Sequence, residues 1–244
     1  MNKLRVGICG WGNVATGLFK TLQTNSVEIK KRSNLEIEII AIGARRDNPK
    51  CDPDNVIIER DIFKIIDHDI DVVVELIGGI DVARDLILKA LNAKKHVVTA
   101  NKAVIFNHGD ELFSVANKNG VKLLYESSVC AGTPIIKLLN QELAASKISK
   151  ISGMLNGTSN FILSNMEEGM EFEPTLKLAQ EKGYAEPDPS FDIEGTDAAH
   201  KIGILSSLAF GSSLPPKDFY IEGINGIHKD CLLYTSDAAD DTPC

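Results

Sequence analysis

The sequence predicts an α/β protein: a doubly wound parallel sheet followed by the first part of a second α/β domain. Three observations carry this. First, short runs rich in Val and Ile alternate with helix-like stretches from the N-terminus to about residue 126, the order that a parallel sheet with crossover helices requires. Second, Asp71-Val72-Val73-Val74-Glu75-Leu76-Ile77 is nearly all apolar, as expected of a strand covered on both faces. Third, Val6-Gly7-Ile8-Cys9-Gly10-Trp11-Gly12-Asn13-Val14-Ala15 reads as a buried strand, a glycine turn and the first turn of a helix. That is a Rossmann-type start, which sets a dinucleotide pyrophosphate on a helix N-terminus. Gly10 permits the tight turn, Gly12 lets backbone approach phosphate, and Ala15 is small enough for close helix–strand packing.

Composition narrows the function classes. The chain has 244 residues, 43% hydrophobic and 25% charged, with a formal net charge of −8. An acidic chain whose basic clusters are as short as Lys30-Lys31-Arg32, Arg45-Arg46 and Lys94-Lys95 is a poor nucleic-acid binder. No signal-like segment precedes the first strand, and no apolar run approaches the ~18 residues of a membrane span. A cytoplasmic protein is expected. Cys9, Cys51 and Cys130 are scattered without metal-like or redox-like spacing. From Cys231 onward the composition changes without turn logic, and Cys231 to Asp241 resembles translated sequencing adapter. The native protein is expected to run out near Asp230, with residues 231–244 a non-native tail.

The remaining elements follow in order. Val14 to Thr24 reads as a helix that could continue to Arg32, and Leu35 to Ile42 as the second strand. At its end an NAD-preferring site would carry an Asp or Glu for the ribose 2′-hydroxyl. Arg45 and Arg46 stand there instead, and guanidinium groups suit a 2′-phosphate. NADP is therefore favoured over NAD, although Asp47 could still turn inward. Residues 47–69 read as loop with one short helix from Ile62 to Asp67. Gly78-Gly79 closes the third strand at its carboxyl end, where ligands bind in open α/β sheets. Asp81 to Asn92 is a helix with Asp81 as its cap, and His96 to Ala100 the fourth strand, ending in Asn101-Lys102. Gly109 to Asn119 reads as a helix and Val121 to Glu126 as the fifth strand.

Beyond it, Ser127 to Pro134 is a small-residue loop leading into a helix to about Ala145. Ile148 to Leu155 reads as a strand. The turn Asn156-Gly157-Thr158-Ser159-Asn160 starts a helix over Phe161 to Glu168, and Pro174 to Gly183 is another. The loop Tyr184 to Asp192 is stiffened by Pro187 and Pro189. Thr196 to Phe210 is an amphipathic helix with Asp197 and Lys201 four apart on one face. The domains expected are 1–147, binding NAD(P), and 148–230, part of a substrate and dimerisation domain.

Four local patterns together resemble the homoserine dehydrogenase family, over about residues 3–230. They are Gly10-x-Gly12, Thr99-Ala100-Asn101-Lys102, the turn Asn156 to Asn160, and Glu186-Pro187-Asp188-Pro189 with Gly195-Thr196-Asp197-Ala198-Ala199-His200-Lys201. The last is the most specific, and the likeness is to the monofunctional form. The resemblance implies NAD(P)-dependent interconversion of L-homoserine and L-aspartate 4-semialdehyde, on the route to threonine, methionine and isoleucine. It implies Lys201 as proton donor to the aldehyde oxygen, supported by Asp197. Lys102 would be the second active-site lysine, near cofactor and substrate. Glu186 and Asp192 would bind the substrate ammonium. Cofactor contacts would come from Gly10, Trp11, Gly12, Asn13 and Val14, from Arg45, Arg46 and Gly78, and from Lys102, Ser127 and Ser128. Glu126, Val129, Ala131 and Thr133 match a monovalent cation site, usually Na+, built largely of backbone carbonyls. A homodimer is implied for the full-length protein. A chain that stops near Asp230 is expected to be inactive or poorly soluble by itself.

The chemistry agrees with those roles. Hydride addition to an aldehyde develops alkoxide charge, which needs a proton donor or cation in reach. Two lysines at one site would lower each other's proton affinity, and Asp197 would oppose that and orient the amine. Taken singly, the features are ordinary. An Asp–Lys pair four apart is commonly a surface ion pair, Glu-Pro-Asp-Pro a rigid loop, and a lysine after a strand solvated. His200 reads as structural, and Trp11 as packing over either the cofactor or a neighbouring domain. The alternatives are another NADP-dependent reductase of amino-acid biosynthesis, with Cys130 as the only candidate nucleophile, and a non-catalytic nucleotide-binding module.

Overall fold

Strand β1 (Asn2–Cys9) forms the middle of a six-stranded sheet. This structure is a computed structural model, and it describes residues 2–216 and 219–232. β2 (Leu35–Gly43) and β3 (Ile57–Glu59) lie on one side of β1; β4 (Val72–Glu75), β5 (His96–Thr99) and β6 (Leu123–Leu124) lie on the other. The order is β3-β2-β1-β4-β5-β6, with every pair parallel. The chain winds outward from β1 to β3, then returns to β4 and winds the other way. The reversal between β1 and β4 leaves a crevice at their carboxyl ends, the place where such sheets bind ligands.

Helix α1 (Asn13–Thr24) covers β1 through Ala15 and Phe19, both buried against Ile8, Ile42 and Val74. α2 (Ser26–Ser33) follows after a break at Asn25, so the first helix does not run on to Arg32. α3 (Asp81–Asn92) buries Ala83, Leu86, Ile87, Ala90 and Leu91. Each large side chain so enclosed is worth about 1.5–3 kcal/mol relative to exposure. α4 (Lys102–Asn119) starts at Lys102, well before Gly109, because the Asn101 side chain accepts the Val104 N–H and caps it. Helix α5 (Ile135–Lys137) passes at once into a π-turn over Leu138–Glu142 and stops there, short of Ala145.

Strand β3 falls inside the stretch read as loop. It is only three residues long and lies at the sheet edge, so it has no extended apolar pattern to reveal it. Asp81 lies within the first turn of α3, whose cap residue is Ile80. The first unit extends to Ala145 and includes Ser213–Pro215.

Arg5 ties β1 to the approach of β4. Its backbone N–H, Nε and Nη2 all donate to Asp71, at 2.9, 3.1 and 2.8 Å. These bonds hold the Asp71 carboxyl down at about 2, from an ordinary 3.8. A depressed carboxyl stabilises the folded state above its unfolded value and stops doing so as pH falls through the folded one. Asp71→Asn is therefore expected to lower the melting temperature above pH ~4, with the gap to the parent closing by pH ~2. Thermal melts of both proteins across that range check this, and a pH-independent gap contradicts it.

The second unit, from Ser146 to Ser212 and from Pro216 onward, shows helices in its described residues. These are α6 (Gly157–Glu167), α7 (Phe172–Glu181), α8 (Ser190–Ile193) and α9 (Thr196–Phe210). Ile162, Met166, Ala179 and Ala185 form their core, with Phe172, Leu176 and Leu232 against it. Gly183, at φ +77°, ends α7 as a left-handed stop. The strand expected over Ile148–Leu155 is absent. No neighbouring strand among the described residues offers it a ladder, and an unpaired strand leaves its backbone groups to other partners. Ile151 and Leu155 instead line a groove of about 400 Å³ with α9 and Phe219–Glu222. The tail read as non-native lies outside the described residues from 233 onward.

Candidate functional site

In the first unit a cavity of about 840 Å³ opens where the ends of β1, β2 and β4 meet. Its walls are the glycine turn, the segment after β2 and the loop Leu76 to Val82. Gly10 has φ +108°, and a Cβ there would lie 2.5 Å from the Leu76 carbonyl oxygen. Only glycine lets the turn pass this close to the neighbouring loop. Gly12, by contrast, has nothing within 4 Å of a notional Cβ, and neither have Gly78 and Gly79. Three glycines facing open space beside a helix N-terminus form a cradle into which phosphate can come against backbone. The described residues therefore fit a dinucleotide.

Arg45 and Arg46 line this cavity and are exposed. Asp47 lines the cavity beside them. Its carboxylate accepts from Arg60 Nη2 at 2.7 Å, while Arg60 Nη1 donates to the Ala44 carbonyl. The acid at the arginine end of the cavity is thus paired with Arg60. Trp11 resolves as a core residue of the first unit: 8% exposed, edge-on to Phe19 at 5.2 Å, with part of its surface on the cavity. Asn48 Nδ2 donates to the Trp11 carbonyl, fastening the segment after β2 to the glycine turn.

Other expected cofactor contacts fall outside the cavity's lining. Asn13 and Val14 occupy the first turn of α1, with the Val14 side chain exposed. The Ser128 hydroxyl is buried and donates to the Tyr125 carbonyl, and Ser127 is exposed. Lys102 is the first residue of α4 and is half-buried.

The second unit gathers the remaining charged candidates. Asp197, 4% exposed, and Lys201 lie one turn apart on α9, with Lys201 Nζ 2.7 Å from Asp197 Oδ2. Lys201 Nζ also donates to the Leu155 carbonyl at 2.7 Å. Asn156 Nδ2 donates to both Asp192 Oδ1, at 2.6 Å, and Asp197 Oδ2, at 2.9 Å. Thr158 Oγ1 lies 2.7 Å from the Tyr184 carbonyl and 3.0 Å from the other Asp192 oxygen, with one proton for the two acceptors. Both Asp192 oxygens thus face the turn at 156–158. Glu186 is exposed on the proline loop, and its carboxylate has no hydrogen-bond partner among the described residues. His200 stands edge-on to Phe191 at 5.6 Å. Asn156 and Thr158 were seen in sequence only as parts of a turn. An Asn just ahead of a helix, capping Ser159 N–H, was the available signal.

Glu126 uses both carboxylate oxygens to accept the Ile136 and Lys137 N–H groups, each at 2.9 Å. Val129, Ala131 and Thr133 lie in the turn between them. Among the described residues no cluster of His, Cys, Asp and Glu has metal-binding geometry, and no helix is long and apolar enough to cross a membrane.

Two family profiles match the chain: "Homoserine dehydrogenase, NAD binding domain" over residues 10–126, and "Homoserine dehydrogenase" over residues 134–241. A homoserine dehydrogenase of Pseudomonas aeruginosa is 50% identical over 227 residues, which is 92% of this chain and 52% of that protein. The crystal structure of a Thiobacillus denitrificans homoserine dehydrogenase superposes with a TM-score of 0.90 at 41% identity, covering 97% of this chain and 56% of that one. A hyperthermophilic archaeal homoserine dehydrogenase solved in complex with NADPH gives a TM-score of 0.81 at 28% identity, over 93% and 76% of the two chains. The chain spans about half the length of the curated relatives it matches.

Proposed function

The chain belongs to the homoserine dehydrogenase family, and on that premise we propose that it supplies the cofactor domain and part of the catalytic domain of an enzyme interconverting L-homoserine and L-aspartate 4-semialdehyde. Residues 1–147 are assigned to NAD(P) and residues 148–230 to substrate. The observation that carries the reading is Lys201, held by a buried carboxylate and a backbone carbonyl. An ammonium has three N–H donors. Two are spent on fixing it, and the third is left for a developing alkoxide.

Gly10, Gly12, Gly78, Arg45 and Arg46 are the residues that would hold the dinucleotide, with Trp11 closing one wall and the α1 backbone at Asn13 and Val14 facing phosphate. When bound, the nicotinamide supplies or accepts the hydride. Lys201 then gives its proton to the aldehyde oxygen during reduction and takes it back during oxidation. Asp197 keeps the ammonium aimed, and Asn156 holds Asp197. Glu186 offers its carboxylate to the substrate ammonium, and Lys102 supports cofactor and substrate at the start of α4. A monovalent cation, Na+, belongs on the carbonyls around Glu126, Val129, Ala131 and Thr133, where oxygen donors suit a hard ion. The full-length enzyme is assigned as a cytoplasmic homodimer without nucleic-acid or membrane partners.

The test uses the chain itself and the chain extended by the C-terminal half of its Pseudomonas aeruginosa relative. Homoserine-dependent reduction of NADP+ is expected from the extended enzyme, and NADPH binding without turnover from the chain itself. Binding without turnover in both would make this a nucleotide-binding module. NADP preference is checked separately. Replacing Arg45 and Arg46 together by Ala should weaken NADPH by ~10-fold or more and NADH by under ~3-fold, since a charge-assisted hydrogen bond is worth about 1.5–3 kcal/mol. Equal losses for both cofactors contradict the preference. Cys130→Ala should leave turnover near normal, because hydride transfer to a free aldehyde needs no thiol; a large loss would favour acylating chemistry.

A further inference from the structure

Glu75 ends β4 and is fully buried, at 0% exposure. A carboxylate in that position is costly unless its lone pairs are taken. Here they are taken by two different loops. Oε1 accepts the Ile77 N–H at 2.9 Å and the Gly78 N–H at 3.4 Å. Oε2 accepts the Thr99 hydroxyl at 2.5 Å. Thr99, directly across from Glu75 in the β4–β5 register, uses the same oxygen to accept the Asn101 N–H at 3.0 Å. Asn101 Nδ2 donates back to the Gly79 carbonyl at 2.6 Å, while its Oδ1 caps α4. The bonds close a ring: the Ile77–Gly79 loop, Glu75, Thr99, Asn101 and the loop again.

The ring joins two segments of the proposed site. Gly78 and Gly79 line the cavity, both at φ +73°, and Gly10 lies against the Leu76 carbonyl behind them. Asn101 immediately precedes Lys102. A bare loop of two left-handed glycines has many conformations to lose on binding, and nothing in its own side chains can hold it. Burial, together with the charge on Glu75, also pushes the neighbouring Cys9 thiol up to about 12.

We infer that Glu75 is a positioning residue for the cofactor site: its carboxylate holds the Gly78–Gly79 wall in its binding conformation and couples that wall to the start of α4 at Lys102. The inference rests on the reading of the cavity as the dinucleotide site. It predicts which substitutions are tolerated. Glutamine keeps an oxygen for the Ile77 and Gly78 N–H groups and turns an N–H toward Thr99. Alanine keeps neither.

The 244-residue chain carries its own probe, since Trp11 is the only tryptophan and lies on the cavity. NADPH is titrated by quenching of its fluorescence in the parent, Glu75→Gln, Glu75→Ala and Thr99→Val, and backbone amide exchange is followed in each. NADPH affinity is expected to stay within ~3-fold of the parent in Glu75→Gln and to fall ~10-fold or more in Glu75→Ala, the scale of an orphaned buried hydrogen bond. In Glu75→Ala, Ile77–Gly79 and Asn101–Ala103 should lose exchange protection together while Val6–Cys9 keeps it. Three results overturn the inference: Glu75→Ala binding as the parent does, Glu75→Gln binding as weakly as Glu75→Ala, or protection lost in one loop alone. Should Glu75→Ala fail to fold, Thr99→Val decides. It must weaken NADPH and loosen both segments, and unchanged binding and exchange there are equally fatal. A parent chain that does not bind NADPH brings down the cavity reading itself, an outcome distinct from variants that bind normally.

Discussion

Lys201→Met in the extended enzyme is expected to lower kcat for aspartate 4-semialdehyde reduction by ~10³-fold, within the range for loss of a positioned proton donor. NADPH affinity should change by less than ~2-fold, because the residues that would hold the cofactor belong to the first unit and Lys201 to the second. The size of the effect distinguishes two meanings of one sequence pattern. An exposed Asp–Lys pair four apart on a helix contributes about 0.3–0.5 kcal/mol, and its loss would leave turnover alone. This pair is of another kind: the side chains are 17% and 5% exposed, and the lysine spends a second proton on the Leu155 carbonyl. Arginine should not rescue, since a planar guanidinium cannot reproduce an ammonium at that point and does not release its proton. Stopped-flow measurement of the hydride step with saturating NADPH checks the prediction. A variant within tenfold of the parent would return Lys201 to a structural role.

How far these features could be read from residues alone depends on whether their causes are local. The glycine turn was readable because strand, turn and helix are contiguous and each residue has its own steric reason. The Asp197–Lys201 spacing was readable because a helix brings residues four apart onto one face. Asn156 was not, since its partners, Asp192 and Asp197, lie more than thirty residues along the chain. Arg60 escaped for the same reason; nothing around it in sequence says that it will hold Asp47. Glu75 left a faint mark as the one charge inside the apolar run 72–77, and the reason appears only when Thr99 comes alongside it. The strand expected at Ile148–Leu155 failed differently. A strand exists only with a neighbour to pair with, and none is offered among the described residues. Strand β3 shows the converse, three residues made a strand by β2 beside them.

Asn156→Leu is expected to destabilise the second unit by about 3 kcal/mol, the cost of leaving a buried charged group without its hydrogen-bond donor. One amide nitrogen serves two carboxylates, at 2.6 and 2.9 Å, and the amide oxygen accepts the Ser159 N–H at the start of α6. Leucine has the bulk but none of these bonds, so Asp192 and Asp197 each lose the amide donor and α6 loses its cap. Asn156→Asp should separate the electrostatic part from the packing. It preserves shape and the cap but sets a third carboxylate against two others, and like charges this close cannot all stay ionised. Its folded state should therefore take up protons that the unfolded chain does not, so its deficit should be largest at neutral pH and shrink as pH falls. Urea unfolding of the three proteins at pH 7 and pH 5 measures both effects. If Asn156→Leu unfolds with the parent, or Asn156→Asp shows the same deficit at both pH values, Asn156 is not what holds the carboxylate pair behind Lys201.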